Sequence, residues 1–97
     1  MFNLDLKIYG AKSDGSNQIV FNYSEAGAAA ARELSALLSR HNMNHSDVPS
    51  YVPLQGLAAD RMAKLGLRMD VTILNEREHM LVSKWLSDHS DVVKGVD

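Results

Sequence analysis

The chain predicts an α+β domain: a three-stranded, mostly antiparallel sheet with three helices, in the order ββααβα. Three observations carry that prediction. Phe2, Leu4, Leu6 and Ile8 alternate with Asn3, Asp5, Lys7 and Tyr9, the period of a strand buried on one face. Met69, Val71 and Ile73 alternate in the same way with Arg68, Asp70 and Thr72. Around these runs lie stretches whose apolar residues recur at helical spacing instead.

Taken in order, the first strand runs over Phe2–Tyr9. A turn-rich segment with Asp14-Gly15 at its centre then leads to QIVFNY, where Ile19, Phe21 and Tyr23 share a face, so the two strands read as a hairpin. Ser24 is an N-cap followed by Glu25 in the positive first turn of a helix. Ala26, Ala30, Leu34, Leu37 and Leu38 form its apolar stripe, and the small residues 28–31 either permit close approach of another element or leave a smooth outer face. Residues 41–53, with prolines at 49 and 53, read as an irregular loop. A shorter helix follows from about Leu54 to Leu65, with Leu54, Leu57, Ala58, Met62 and Leu65 on one side and Gly66 as its stop.

After the Arg68–Ile73 strand, Asn75 opens the last helix. Its side chain can accept a first-turn N–H, and Glu78, three residues on, can reach back to close a capping box. Leu81, Val82, Trp85 and Leu86 supply the apolar face, with Met80 near the edge of the outer one. Residues 90–97 carry Asp91, Lys94 and a terminal acid and are expected to fray, so that 1–97 reads as one domain with a loose tail. SALLSRHN at 35–42 and SKWLSDHS at 83–90 echo one another; a duplicated strand–helix unit would explain this, but convergence on helix-end chemistry is the favoured reading, because His near a C-terminus complements the dipole.

Composition narrows the function. With 97 residues, 45% hydrophobic and 23% charged, the chain supports one core and not a cofactor domain beside a substrate domain. Net charge is −2 with no basic run, which argues against direct nucleic-acid binding. The absence of cysteine excludes disulfides and thiolate chemistry. The N-terminus alternates where a signal peptide would run continuously apolar, and no segment has the ~20 apolar residues of a membrane span. A cytoplasmic protein that begins at its own Met and does not engage a membrane is expected.

Catalytic signatures are missing as well. There is no Gly-x-Ser-x-Gly elbow and no Walker or Rossmann phosphate loop. Glu76 and Glu78 fall about 200° apart on a helix and cannot share an acid/base site. His41 and His45 have a spacing that could chelate one ion, with Asp47 as a third ligand. The helix ends near His41, however, and no fourth ligand is evident, so no metal and no cofactor are expected. His41 and His89 read as half-buried, hydrogen-bonded helix-end residues.

Surface is what remains. Residues 70–97 hold six acids against three bases, whereas residues 1–69 hold six acids and seven bases, so negative charge concentrates on the last strand and helix. The outer sheet face, with Asp5, Tyr9, Val20, Asp70 and Leu74, is left open by helices that pack on the other side.

A small, cysteine-free, slightly acidic α+β chain with a polarised acidic surface resembles the proteins that phages and prophages encode against host defences, particularly anti-CRISPR proteins of type I systems. The resemblance covers size, element order and charge character over the whole chain and rests on no motif. It implies a non-enzymatic inhibitor in the host cytoplasm that docks on the Cas surveillance complex and blocks target DNA, in some members by local DNA mimicry. The partner-binding residues it implies are Asp70 and Glu76, joined by Asp5 and Asp60 if the fold gathers them. Tyr9 belongs to the open sheet face. Two alternatives stand beside it: a structural or oligomeric interaction module using the sheet face, and a small metal-binding or hydrolytic protein at His41, His45 and Asp47.

Overall fold

The computed structural model describes residues 15–96. Within them lie β1 (Gly15–Phe21), α1 (Glu25–Arg40), α2 (Gly56–Leu65), β2 (Leu67–Ile73), α3 (Glu76–Asp88) and β3 (Val93–Val96). The three strands form one antiparallel sheet in the order β2-β1-β3, so the α+β class, the three helices and the antiparallel sheet are as expected. Among the described residues the elements run βααβαβ, so the expected order ββααβα is roughly right, with a strand ahead of the helices and a strand between the second and third of them. The expected strand over Phe2–Tyr9, and with it Asp5 and Tyr9, lies outside the described residues.

The third strand comes from the segment expected to fray. Ile19 pairs with Val96, Val20 with Gly95 and Phe21 with Val93, with a bulge between the last two pairs. Asn22 reinforces the join, its backbone N–H donating to the Val92 carbonyl at 2.9 Å and its side-chain amide to that of Asp91 at 3.0 Å. The physical reason is the position of β1. A central strand exposes backbone groups on both edges, and β2 satisfies only one of them. Four residues interrupted by a bulge leave no readable alternation, so local pattern could not reveal the pairing.

Alternation in β2 is strict where it was read: Leu67, Met69, Val71 and Ile73 are buried while Arg68 and Asp70 are exposed. These side chains meet Ile19 and Phe21 of β1, Leu34 and Leu38 of α1, and Val82, Trp85 and Leu86 of α3. The Ser24 hydroxyl caps α1 by accepting from Gly27 N–H at 3.0 Å. At Gly27 any Cβ would run into the Asn22 carbonyl, and Ala28, Ala30 and Ala31 are buried, so the small residues do permit close approach.

Helix α1 ends in a Schellman motif. Met43 N–H bonds to the Leu38 carbonyl at 2.9 Å and Asn42 N–H to that of Ser39 at 3.2 Å, with Asn42 left-handed at φ 56° and Met43 buried. Asn42→Val should lower stability by about 1–2 kcal/mol, because a β-branched residue resists that backbone conformation. Asn42→Gly should not lower it, as measured by urea denaturation.

The loop after α1 is an ordered strap along the free edge of β2. Asn44 O accepts from Thr72 N–H at 3.0 Å, Ser46 N–H donates to Asp70 O at 2.9 Å, and His45 forms a bridge with Val71. The Ser46 hydroxyl accepts from Asp70 N–H at 2.9 Å. The strap therefore satisfies an edge that would otherwise invite pairing with another chain. Farther along, Tyr51 packs edge-on against Tyr23, whose hydroxyl donates to the Val52 carbonyl.

Helix α2 departs from expectation. Its apolar side was to pack on the core, yet none of its residues is buried and Leu57 is 84% exposed. Its C-terminal end is tied down: Arg68 Nε donates to Leu65 O at 3.0 Å and Lys94 Nζ to Ala63 O at 3.1 Å. These cations occupy the negative end of the helix, which anchors it without burying a face.

Candidate binding site

A concavity lies where β2 gives way to α3. After Ile73 the chain turns through Leu74 and Asn75, and the Asn75 side chain caps α3 by accepting from Glu78 N–H at 2.9 Å. Glu78 Oε1 in return accepts from Leu74 N–H at 2.9 Å, so the box closes one residue earlier than the usual cap N–H. The turn is thereby held from both sides, which orients the first face of α3.

That face carries Arg77, Met80, Leu81 and Lys84, the i, i+3, i+4, i+7 positions of a helix. Together with Asn75, Glu78 and His41 from the end of α1 they line a cleft of about 370 Å3. Met80 and Leu81 supply its apolar floor, and Arg77, Lys84 and His41 are its basic groups. Lys84 Nζ lies 3.2 Å from Asp88 on the same helix. Among the described residues, neither the Arg77 guanidinium nor the His41 ring has a hydrogen-bond partner. Met80 is 38% exposed and Leu74, just outside the cleft, 68%.

No family model, curated protein or solved structure matches the chain. The site therefore rests on its own geometry.

The described acids expected to bind a partner, Asp60, Asp70 and Glu76, lie on three different elements, α2, β2 and α3. Asp70 faces outward in mid-β2, where its Oδ1 accepts from Gln18 Nε2 at 3.2 Å, while Gln18 Oε1 accepts from Arg68 Nη1 at 2.7 Å. Its carboxylate thus belongs to a polar ladder that includes a cation. Glu76 stands exposed in the first turn of α3 with Oε2 3.8 Å from Nδ1 of the buried His79, an atom without a hydrogen-bond partner. Asp60 lies on the exposed α2 beside Leu57, Arg61 and Lys64. From Asp70 to Ile73 the strand alone runs about 10 Å, so Asp70 and Glu76 do not form one tight cluster.

The histidines separate as well. His45 does not turn toward His41: its Nδ1 lies 2.7 Å from the Ser46 carbonyl, and its Nε2 lies 3.4 Å and 3.3 Å from the Ser35 and Ser39 hydroxyls. A proton on Nδ1 leaves Nε2 as acceptor for the serines, which ties the strap to α1. Among the described residues no three His, Asp or Glu side chains gather as metal ligands. His41 is exposed rather than half-buried. His89 is part-buried and bonded at both nitrogens, to the Trp85 carbonyl at 2.8 Å and to Glu33 Oε1 at 2.7 Å. Among the described residues no helix is long and apolar enough to cross a membrane.

Sequence reasoning missed the convergence of His41 with Arg77 and Lys84. The signal that could have found half of it is the Arg77-Met80-Leu81-Lys84 spacing. It reads equally as the border of an amphipathic helix, and the position of the α1 terminus opposite it is a tertiary fact.

Proposed function

We propose that this chain is a non-enzymatic binding protein that docks on a protein partner at the corner between β2 and α3. The observation that carries this reading is the apolar-floored cleft flanked by exposed Leu74 and Met80, on a turn held rigid by its reciprocal caps. Rigid elements that present apolar side chains to solvent beside charged ones have the anatomy of an interface core and rim.

In its narrower form the partner is a type I CRISPR Cas surveillance complex, and the chain acts as a phage-encoded inhibitor that keeps target DNA out. Exposed Asp70 and Glu76 then face Lys and Arg side chains that would otherwise hold phosphates. The test is capture of a purified type I surveillance complex by tagged protein. Wild type should retain Cas subunits, and Leu74→Asp and the Asp70→Lys/Glu76→Lys pair should each lose them with unchanged circular dichroism. Absence of Cas subunits on folded wild-type protein removes the narrower form.

A second reading, a self-associating module, is favoured by α2, a ten-residue helix with no buried residue. Helices of that length are marginal without packing. Light scattering would show a mass above that of one chain, reduced by Leu57→Asp.

A further inference from the structure

We infer that the cleft between α3 and the end of α1 selects a partner segment in which a large apolar side chain is flanked by a carboxylate. This rests on the docking reading above and names the chemistry of what is docked.

Shape argues for a side-chain anchor. At about 370 Å3 the cleft is at the small end of ligand pockets, and the apolar surface continues past its mouth to Leu74. An extended segment that inserts one residue and lays its neighbours over the rim uses both. The floor is adaptable, since Met80 can change rotamer around whatever apolar group enters.

Charge argues for an acidic segment. Of the ionisable groups on the cleft, Glu78 is engaged at the Leu74 N–H and Lys84 is beside Asp88, so both act within the fold. Arg77 has no such partner among the described residues, and His41, which lines the same cleft from another element, has none among them either. A guanidinium presents a planar fork matched to a carboxylate, above apolar surface that thins the competing water. A basic segment would meet Arg77 and Lys84 as like charges, and the cleft carboxylate Glu78 is already engaged at the Leu74 N–H.

The experiment uses the full chain labelled with 15N and two blocked peptides, acetyl-Glu-Leu-Phe-Glu-amide and acetyl-Lys-Leu-Phe-Lys-amide, followed by amide chemical shifts. The acidic peptide should move the Arg77, Met80, Leu81 and Lys84 amides saturably. Arg77→Gln, an exposed substitution that spares the caps, should weaken it about tenfold, the scale of one charge-assisted hydrogen bond. Equal binding of the basic peptide at these amides overturns the selection for acid. If neither peptide moves them while capture of the surveillance complex still depends on Leu74, this inference falls and the docking reading stands.

Discussion

Gly66→Ala will lower the stability of this protein by about 3–5 kcal/mol, as the sum of backbone strain and steric overlap. Gly66 joins α2 to β2 with φ 72° and ψ −178°, a region that is almost closed to residues with a Cβ. A Cβ there would also stand 2.5 Å from the Phe21 carbonyl and 2.7 Å from Val20 Cγ1. Neither neighbour can yield, because Phe21 is fully buried in the central strand and Val20 is 5% exposed. Out of the roughly 5–15 kcal/mol available to a small domain, such a loss is severe. Urea denaturation should show a much lower midpoint at an unchanged slope. Asparagine will not rescue the site, since it tolerates the left-handed helical region and not an extended ψ at positive φ. An unchanged midpoint for Gly66→Ala would mean that the α2–β2 junction relaxes as a unit.

Trp85→Ala is expected to cost about 3–5 kcal/mol, the range for removing a buried aromatic ring. Trp85 is 7% exposed and meets Phe21 edge-on, with centroids 6.0 Å apart at 72°. On its other side the His89 ring stacks at 4.0 Å and 13°. His89 has the Trp85 carbonyl at one ring nitrogen and the Glu33 carboxylate at the other. Glu33 is 63% exposed, so the ion pair alone contributes little. Its effect is positional: it seats the imidazole over the indole and ties the end of α3 to α1, just before the chain turns into β3. Trp85→Phe should recover much of the loss because the contact with Phe21 survives. A double-mutant cycle with His89→Gln should show coupling of about 0.5–2 kcal/mol. Additive effects would mean that the stack is incidental.

These two sites also mark how far local pattern reaches. Alternation from Leu67 to Ile73 and the Ser24 and Asn75 caps depend on residues close in sequence and were legible; of the α1 stripe Ala30, Leu34 and Leu38 are buried as expected, whereas Ala26 is exposed and Leu37 half-buried. Gly66 was legible as a helix stop. That its Cβ would strike Phe21 depends on a residue 45 positions away in the chain. The strap had no pattern of its own, because it is held by backbone bonds to β2 that any polar sequence could make. For the same reason His45 read as a metal ligand candidate and proved to be a strut.

Sequence by itself determined the class of this protein, its capped helices and the buried face of β2, since periodicity and cap chemistry are local consequences of backbone geometry. Tertiary structure alone decided that β1 lies between β2 and β3, that residues 93–96 add a strand to the sheet, that α2 has no buried residue, and that His41 and Arg77 line one cleft. Those outcomes follow from which edges and faces remain unsatisfied after the local elements have formed, and that is a property of the assembled chain.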